Sequence, residues 1–408
     1  MTLIFELNDT ELSLYRGTER LYHAPAIALA RNDEILFGEA ALRLARIHPQ
    51  QTNQQYFSRL NADPLVQPVA SAANHADLVY LHLKELAILI DDEVILAVPG
   101  TLNNDQLSVL LGISHEAKIR VCGFIDSAVA AITTTRVPEK TFLLDVHLQH
   151  MSITELAINN HVQRTRSDEI RECGLAGLLE GWVNLIADRF VHETRFDPLH
   201  TADTEQQLYN QVYDWVVGSH HLNEIGVEIQ HANQQHSVEI PKGQLEQKAQ
   251  QRFRRLRESI PTGAHITLTA RCARLPGLTS LLRADGYGID LLTATAVAEG
   301  CTNNLEFIRS TDADLRLVTR LPHDHEVREA TDAPTNIPSH FLHNHTALPF
   351  NSTKLSFAIK PDTDGVWLQP DGSITLNSDP ITQATRLAIG DTIHNGTEEY
   401  LVIRLDDS

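Results

Sequence analysis

Cysteine is scarce and scattered. The four in the chain, Cys122, Cys173, Cys272 and Cys301, lie far apart, and no two of them form a C-x-x-C pair. They read as reduced, mostly buried thiols in a reducing compartment, so a cytoplasmic location is expected. Basic residues are also short: 33 Lys and Arg face 53 Asp and Glu, a net charge of −20. Phosphate attraction needs basic surface, so nucleic acid and anionic membrane are set aside as general partners. No apolar run approaches the length of a membrane span. Residues 1–20 carry Glu6, Asp9, Glu11, Arg16, Glu19 and Arg20 and lack the apolar core of a signal peptide.

What is present suffices for packed domains. At 408 residues with 42% hydrophobic content, the chain is expected to form two or three of them. The organising stretch runs over residues 94–132. The apolar run Val94–Val98 reads as a buried strand stopped by Pro99 and Gly100. A helix follows, with Asn103 or Asn104 as cap and Leu107, Leu110 and Leu111 on its apolar face. Residues 119–121 read as a second strand, before the small-residue segment 124–132.

Elsewhere, residues 2–7 and 11–15 read as a hairpin across Asn8-Asp9-Thr10, and 25–29 and 34–37 as strands before a helix over 38–46. Residues 61–76 read as a loop, 75–90 as a helix and 141–145 as a strand. Helices are expected over 178–190 and over 204–217, the latter capped by Asp203 or Thr204. Between them, Arg195-Phe-Asp-Pro-Leu-His200 reads as a packed loop. A hairpin of 225–229 and 237–240 precedes a helix over 241–258. That helix carries Lys242, Lys248, Arg252, Arg254, Arg255 and Arg257, a face better explained by solvent and opposing acids than by nucleic acid. Residues 265–269 read as the last core strand.

Several segments resemble a known family in sequence and in order. They are Pro25-Ala-Ile-Ala-Leu29 with Gly38-Glu-Ala-Ala-Leu42, Ala97-Val-Pro-Gly100 with Asn104-Asp-Gln106, Ile125-Asp-Ser-Ala-Val-Ala-Ala131, Arg274-Leu-Pro276 and Ala296-Val-Ala-Glu-Gly300. Together they resemble the first domain of DnaK-type chaperones, the seventy-kilodalton heat-shock family of the actin-like ATPase superfamily. The resemblance implies an α/β, two-lobed actin-like ATPase fold over residues 1–308, with lobe I at 1–138 and lobe II at 139–308. It also implies ATP and magnesium as the ligands of the ancestral cleft.

The departures fall on the nucleotide-contacting positions. The first phosphate loop, D-L-G-T-T in the family, is Glu6-Leu-Asn-Asp-Thr10 here. The second, D-L-G-G-G-T, is Asp145-Val-His-Leu-Gln-His150, with no glycine left. Three side chains then stand where phosphates need bare backbone N–H groups. Ser58, followed by Arg59, stands where the family has its catalytic Lys, and Asp126 where it has its catalytic Glu; an Asp capping the helix after it is an equal reading of Asp126. In the helix motif Gly174 is kept but Leu175 and Leu179 replace a glycine and an acid; in the adenosine loop, Ala270 and Arg271 replace two glycines ahead of Arg274. The implied remnants are thus Asp126 and Asp145 for catalysis, and Glu6, Asn8, Asp9, Gly174, Arg271 and Arg274 for cofactor binding, with no metal site. Hydrolysis is expected to be lost. The two retained aspartates leave a magnesium ion a place, so the other reading is a divergent chaperone ATPase with altered loops.

Residues 309–340 are polar, with Pro322, Pro334 and Pro338, and read as a linker with one strand at 315–318. His343-Asn-His345 could present two imidazoles on one side of a strand, but neither Cys nor carboxylate completes a zinc set. Residues 341–408 read as a β-rich module with turns at Asp371-Gly-Ser373, Asn377-Ser-Asp379 and Gly390-Asp391. Gly372-Ser-Ile-Thr-Leu-Asn377, Leu387-Ala-Ile-Gly-Asp-Thr-Ile393 and Glu399-Tyr-Leu-Val-Ile403 together resemble the second half of a forkhead-associated β-sandwich, without the Arg and Ser loops that read phosphothreonine there. A scaffold that recruits a protein partner through this module is the expectation.

Overall fold

The structure, a computed structural model, describes residues 2–31, 34–69, 71–218, 224–310, 315–323 and 339–403, the last without 344–345, 351, 353–354, 356, 363–364, 371–373, 378, 382, 388 and 397. It is a mixed α/β protein in two compact units, residues 1–331 and 332–408.

The first unit is built on two six-stranded sheets, in each of which five strands repeat one order. In the first sheet, Leu3–Glu6 pairs antiparallel with Leu12–Arg16, which pairs antiparallel with Glu19–Ala24. On its other side Leu3–Glu6 runs parallel to Val94–Val98, which runs parallel to Val121–Asp126. In the second sheet Lys140–Val146 takes the central place, antiparallel to Met151–Ile158 and, beyond it, His161–Ile170. On the other flank it is parallel to His265–Leu268, and that strand to Gly288–Leu291. Val94–Val98 is buried at every position, as a parallel strand covered on both faces must be.

Three apolar cores hold the sheets. His75–Leu86 and Asn104–Glu116 cover one face of the first sheet. The capping box Asn103–Gln106 starts the second of these helices, with Asn103 as its cap, because each side chain accepts from the other's backbone N–H. Leu175–Thr194, Ala202–Val217 and Lys242–Ser259 pack on the second sheet around Trp182, Phe190 and Phe253. The third core lies between the sheets: Ile4, Ile95 and Ile125 from one and Leu143 and Leu156 from the other close on Ser127–Ile132 and Ala296–Asn303. A Cβ on Gly300 would lie 1.9 Å from the carbonyl oxygen of Ala130, so these two helices touch backbone to backbone.

Several boundaries differ from the sequence expectation. The segment expected as a loop at 61–76 contains the paired strands Pro64–Val69 and Ala72–Asn74. The strand expected at 119–121 is Val121–Asp126, because Asp126 ends it by capping the next helix. Ala202–Val217 is capped by Thr201, whose hydroxyl accepts from the Thr204 N–H, not by Asp203 or Thr204. Gly288–Leu291 follows the strand expected to be the last of the core.

The segment expected as a linker from 309 contributes to both sheets: Leu317–Val318 pairs with Val121–Asp126 and Arg320–Pro322 with His161–Ile170. Leu317–Val318 falls within the strand expected at 315–318, whereas Arg320–Pro322 has one residue inward, the fully buried Leu321, and a polar composition hides it. Arg195–His200 is packed: Phe196 stacks on His236 at 4.1 Å, and Thr204 donates to the Pro198 carbonyl. The basic helix face is partly paired, Arg255 with Glu172 and Arg257 with Asp285.

Every described element of the second unit is a strand. His340–His343 pairs with Thr346–Pro349 and with Glu398–Ile403, in a six-stranded antiparallel sheet. A three-stranded sheet holds Ile359–Asp362, Gly365–Leu368 and Thr385–Arg386. Both sheets contribute to one core around Phe341, Leu368, Ile374, Ile393 and Tyr400. His343 Nδ1 lies 2.9 Å from the Glu399 carbonyl oxygen and its ring stacks on Tyr400, while His345 and Asp371-Gly-Ser373 lie outside the described residues.

Candidate functional site

The repeated topology brings the carboxyl ends of Leu3–Glu6 and Lys140–Val146 together, and each strand ends near a buried carboxylate, Glu6 and Asp145. Arg271, on the short helix Ala270–Ala273, lies between them. Its guanidinium donates to Glu6 Oε1 at 2.5 Å and to Asp145 at 3.1 and 2.8 Å. Thr269, the cap of that helix, donates its hydroxyl to Asp145 Oδ1 at 2.7 Å. Burial works against the Asp145 charge, but Arg271 outweighs it and holds the carboxyl below its ordinary value. For Glu6 burial wins over Arg271, and its carboxyl is pushed up.

Asn8 closes the seam from the other sheet. Its amide donates to Asp145 Oδ2 at 2.9 Å and to the Val146 carbonyl at 3.0 Å, while its oxygen accepts from Thr10. Asp9 accepts the Leu148 N–H at 2.7 Å. A carboxylate of the protein's own therefore takes a backbone donor of the second loop that an anion would otherwise need. The His147 N–H also reaches the His150 carbonyl, and the first N–H groups of Leu175–Thr194 reach the carbonyls of His147 and Leu148. Gly174 is required at this contact, because a Cβ there would lie 2.3 Å from the Gln149 carbonyl carbon.

Asp126, Arg274 and Ser58 make their hydrogen bonds to groups outside this cluster. Asp126 caps Ser127–Ile132: its Oδ1 accepts the N–H groups of Ala128 and Val129, and its Oδ2 takes Arg164 at 2.7 Å. Burial nonetheless pushes its carboxyl up. Arg274 donates to Glu11 and to the Val217 carbonyl, on the wall of a cavity of about 320 Å³ that Arg271 also lines. Ser58 donates to the Gln55 carbonyl.

Thr269, which sequence reading did not single out, joins this cluster, Arg164 likewise joins Asp126 apart from it, and His147, one of the side chains in place of the loop glycines, stacks on His150 at 4.4 Å. Burial opposes a charge on His147, but Asp9 and Asp145 outweigh it and raise its pKa, whereas burial and His147 bring His150 down to about 3. The replaced glycines of the second loop were the one sequence signal for this pair. Among the described residues no group of three His, Cys, Asp or Glu is placed to hold a metal ion, and no helix is long and apolar enough to cross a membrane. No protein-family model matches the chain, and no curated protein matches it.

Proposed function

We propose that the first unit is a heat-shock-70-type, actin-like fold whose nucleotide cleft is filled by its own side chains, and that the chain is a non-hydrolysing, chaperone-like scaffold of the cytoplasm. The repeated strand order, three antiparallel strands followed by two parallel ones, supports the fold reading. The observation that carries the functional reading is Arg271 bridging Glu6 and Asp145. On the resemblance, those are the two acids that would face magnesium and phosphate. A guanidinium between them supplies internally the positive charge that a metal ion would bring. The glycine-free second loop, with Leu148 N–H already taken by Asp9, removes the anion cradle. In this reading the β-rich second unit, which resembles a forkhead-associated sandwich, recruits a protein partner.

Phosphoryl transfer depends on positioning and charge, and each missing part is worth about 3 kcal/mol, roughly a hundredfold in rate. The test is steady-state phosphate release by the purified chain, with melting measured with and without magnesium-ATP. The expected result is release no faster than that of an Asp145→Ala variant, and an unchanged melting temperature, since only a ligand that binds the native state raises it. Turnover that Asp145→Ala abolishes would replace this reading with that of a divergent ATPase.

A further inference from the structure

Beside the Arg271 cluster lies a smaller cavity of about 60 Å³, several times the ~15 Å³ that one buried water needs. Its walls are mixed. Leu7, Phe57, Leu60 and Leu110 form a buried apolar side, while Asp9, His147 and His150 form a buried polar one. Ser58, Thr101, Gln106 and Glu169, all partly or fully exposed, also line it and leave it open to solvent.

Two buried polar atoms on this wall have no hydrogen-bond partner among the described residues: Asp9 Oδ2 and His150 Nε2. Asp9 is 5% exposed and His150 6%, so both side chains are buried in the wall. Asp9 Oδ1 is already committed to the Leu148 N–H, with His147 Nδ1 at 3.5 Å; Oδ2 is free to accept. Leaving a buried carboxylate oxygen without a donor is costly, and proteins seldom do so without a ligand or an ordered water in place. Glu169 Oε1 lies 3.8 Å from His150 Nε2, so a second carboxylate faces the same space. With His150 protonated on Nδ1, its Nε2 is a third acceptor.

We propose that this cavity is a binding site for a small primary ammonium group carried on a short alkyl chain. An ammonium has three donors and no acceptor, which matches the acceptors offered by Asp9, Glu169 and His150. Its alkyl stem lies against Leu7, Phe57, Leu60 and Leu110, as amphipathic cations do at apolar walls. The charge of the lining carboxylates favours a cation too: Asp9, with His147 beside it, and Glu169 both line the cavity, while Glu6 and Asp145 are already bridged by Arg271. The same chemistry is offered by a free short-chain amine and by a lysine side chain of a partner protein.

The test is calorimetric titration and thermal melting of the full chain with ethylammonium chloride, with ethanol and sodium chloride at matched concentration as controls. Saturable binding and a raised melting temperature are expected with ethylammonium alone. Asp9→Asn, which keeps an oxygen for Leu148, should weaken binding at least tenfold. Leu110→Phe, which fills the cavity from its apolar side and leaves every carboxylate in place, should abolish it. Nα-acetyl-lysine amide distinguishes the sources: binding tighter than ethylammonium assigns the site to a partner's lysine, weaker binding to a free amine. An equal response to ethylammonium and ethanol, or binding unchanged in both variants, would overturn the proposal. The test does not depend on whether the chain binds nucleotide.

Discussion

Arg271 and Asp145 are joined by two hydrogen bonds, Nε to Oδ1 at 3.1 Å and an Nη to Oδ2 at 2.8 Å, although 126 residues separate them. The same guanidinium reaches Glu6, from the other sheet, so one side chain neutralises carboxylates at the ends of both central strands. Removing it leaves two buried acids facing each other. Arg271→Gln is therefore expected to cost about 3–5 kcal/mol, the range for breaking a buried ion pair from one side. Neutralising the partners as well, with Glu6→Gln and Asp145→Asn, should recover at least half of that loss. Urea denaturation at pH 7 measures both; a single variant within about 1 kcal/mol of the parent would show that the bridge is not a structural element of the seam.

His82 gives a pH dependence with a defined sign. Its ring is fully buried, stacked on Phe37 at 4.6 Å, with Nδ1 2.9 Å from the Tyr56 hydroxyl. Burial lowers its pKa to about 3. Unfolded, the same residue titrates near 6.5, so between the two values the unfolded chain binds the extra proton. Stability from this residue is full above about pH 6.5 and is lost as pH falls towards 3. At pH 5 the loss amounts to about 2 kcal/mol. His82→Leu removes the titration, so its unfolding free energy should fall about 2 kcal/mol less between pH 7 and pH 5 than that of the parent. Parallel pH profiles for the two proteins would contradict this.

The elements with strong local signals were legible in the sequence. The Val94–Val98 strand was, and so was the helix start at Asn103 or Asn104, of which Asn103 is the cap, because run length, turn chemistry and capping act over a few residues. The paired strands Met151–Ile158 and His161–Ile170 were not, although they are neighbours in the chain, and neither was the short edge at 320–322, whose partner lies far back in the chain; Leu317–Val318 falls within the strand expected at 315–318. At Asp126 a strand passes into a helix inside one apolar run, and only the side-chain cap marks the change. The candidate site was half legible: Glu6, Asn8, Asp9, Asp145 and Arg271 do come together, while Asp126 and Arg274 bond elsewhere. Nothing local to Arg271 encodes a partner 265 residues away, so its capture by Glu6 became visible only with the chain folded.

The two units are expected to unfold separately. Phe341 is fully buried in the second unit, against Phe350 at 4.7 Å, Phe357 at 5.2 Å and Tyr400 at 6.2 Å. Phe341→Ala should cost that unit about 3–5 kcal/mol, the range for truncating a buried aromatic. Calorimetry of the full chain should show one transition moved down by several degrees and the other unchanged. A single transition that shifts as a whole would mean that the units fold as one cooperative body.

The contact of Gly300 with Ala130 is a backbone-to-backbone joint between the two halves of the first unit. Both residues belong to helices of the core shared by the two sheets, and the space at Gly300 is bounded by backbone, which cannot rotate away as a side chain can. A methyl group there forces Ser127–Ile132 and Ala296–Asn303 apart, and the cost of overpacking a tight core is about 1–3 kcal/mol. Helix propensity acts the other way, since Ala is favoured over Gly by about 1 kcal/mol in a helix interior. Gly300→Ala is thus expected to destabilise the chain, and Gly300→Val to do so more strongly, by chemical denaturation. Gly112 is the control: it lies in a helix with nothing within 4 Å of its added Cβ, so Gly112→Ala should be neutral or stabilising. If Gly300→Ala matched Gly112→Ala, the close approach of the two helices would not be the joint between the sheets.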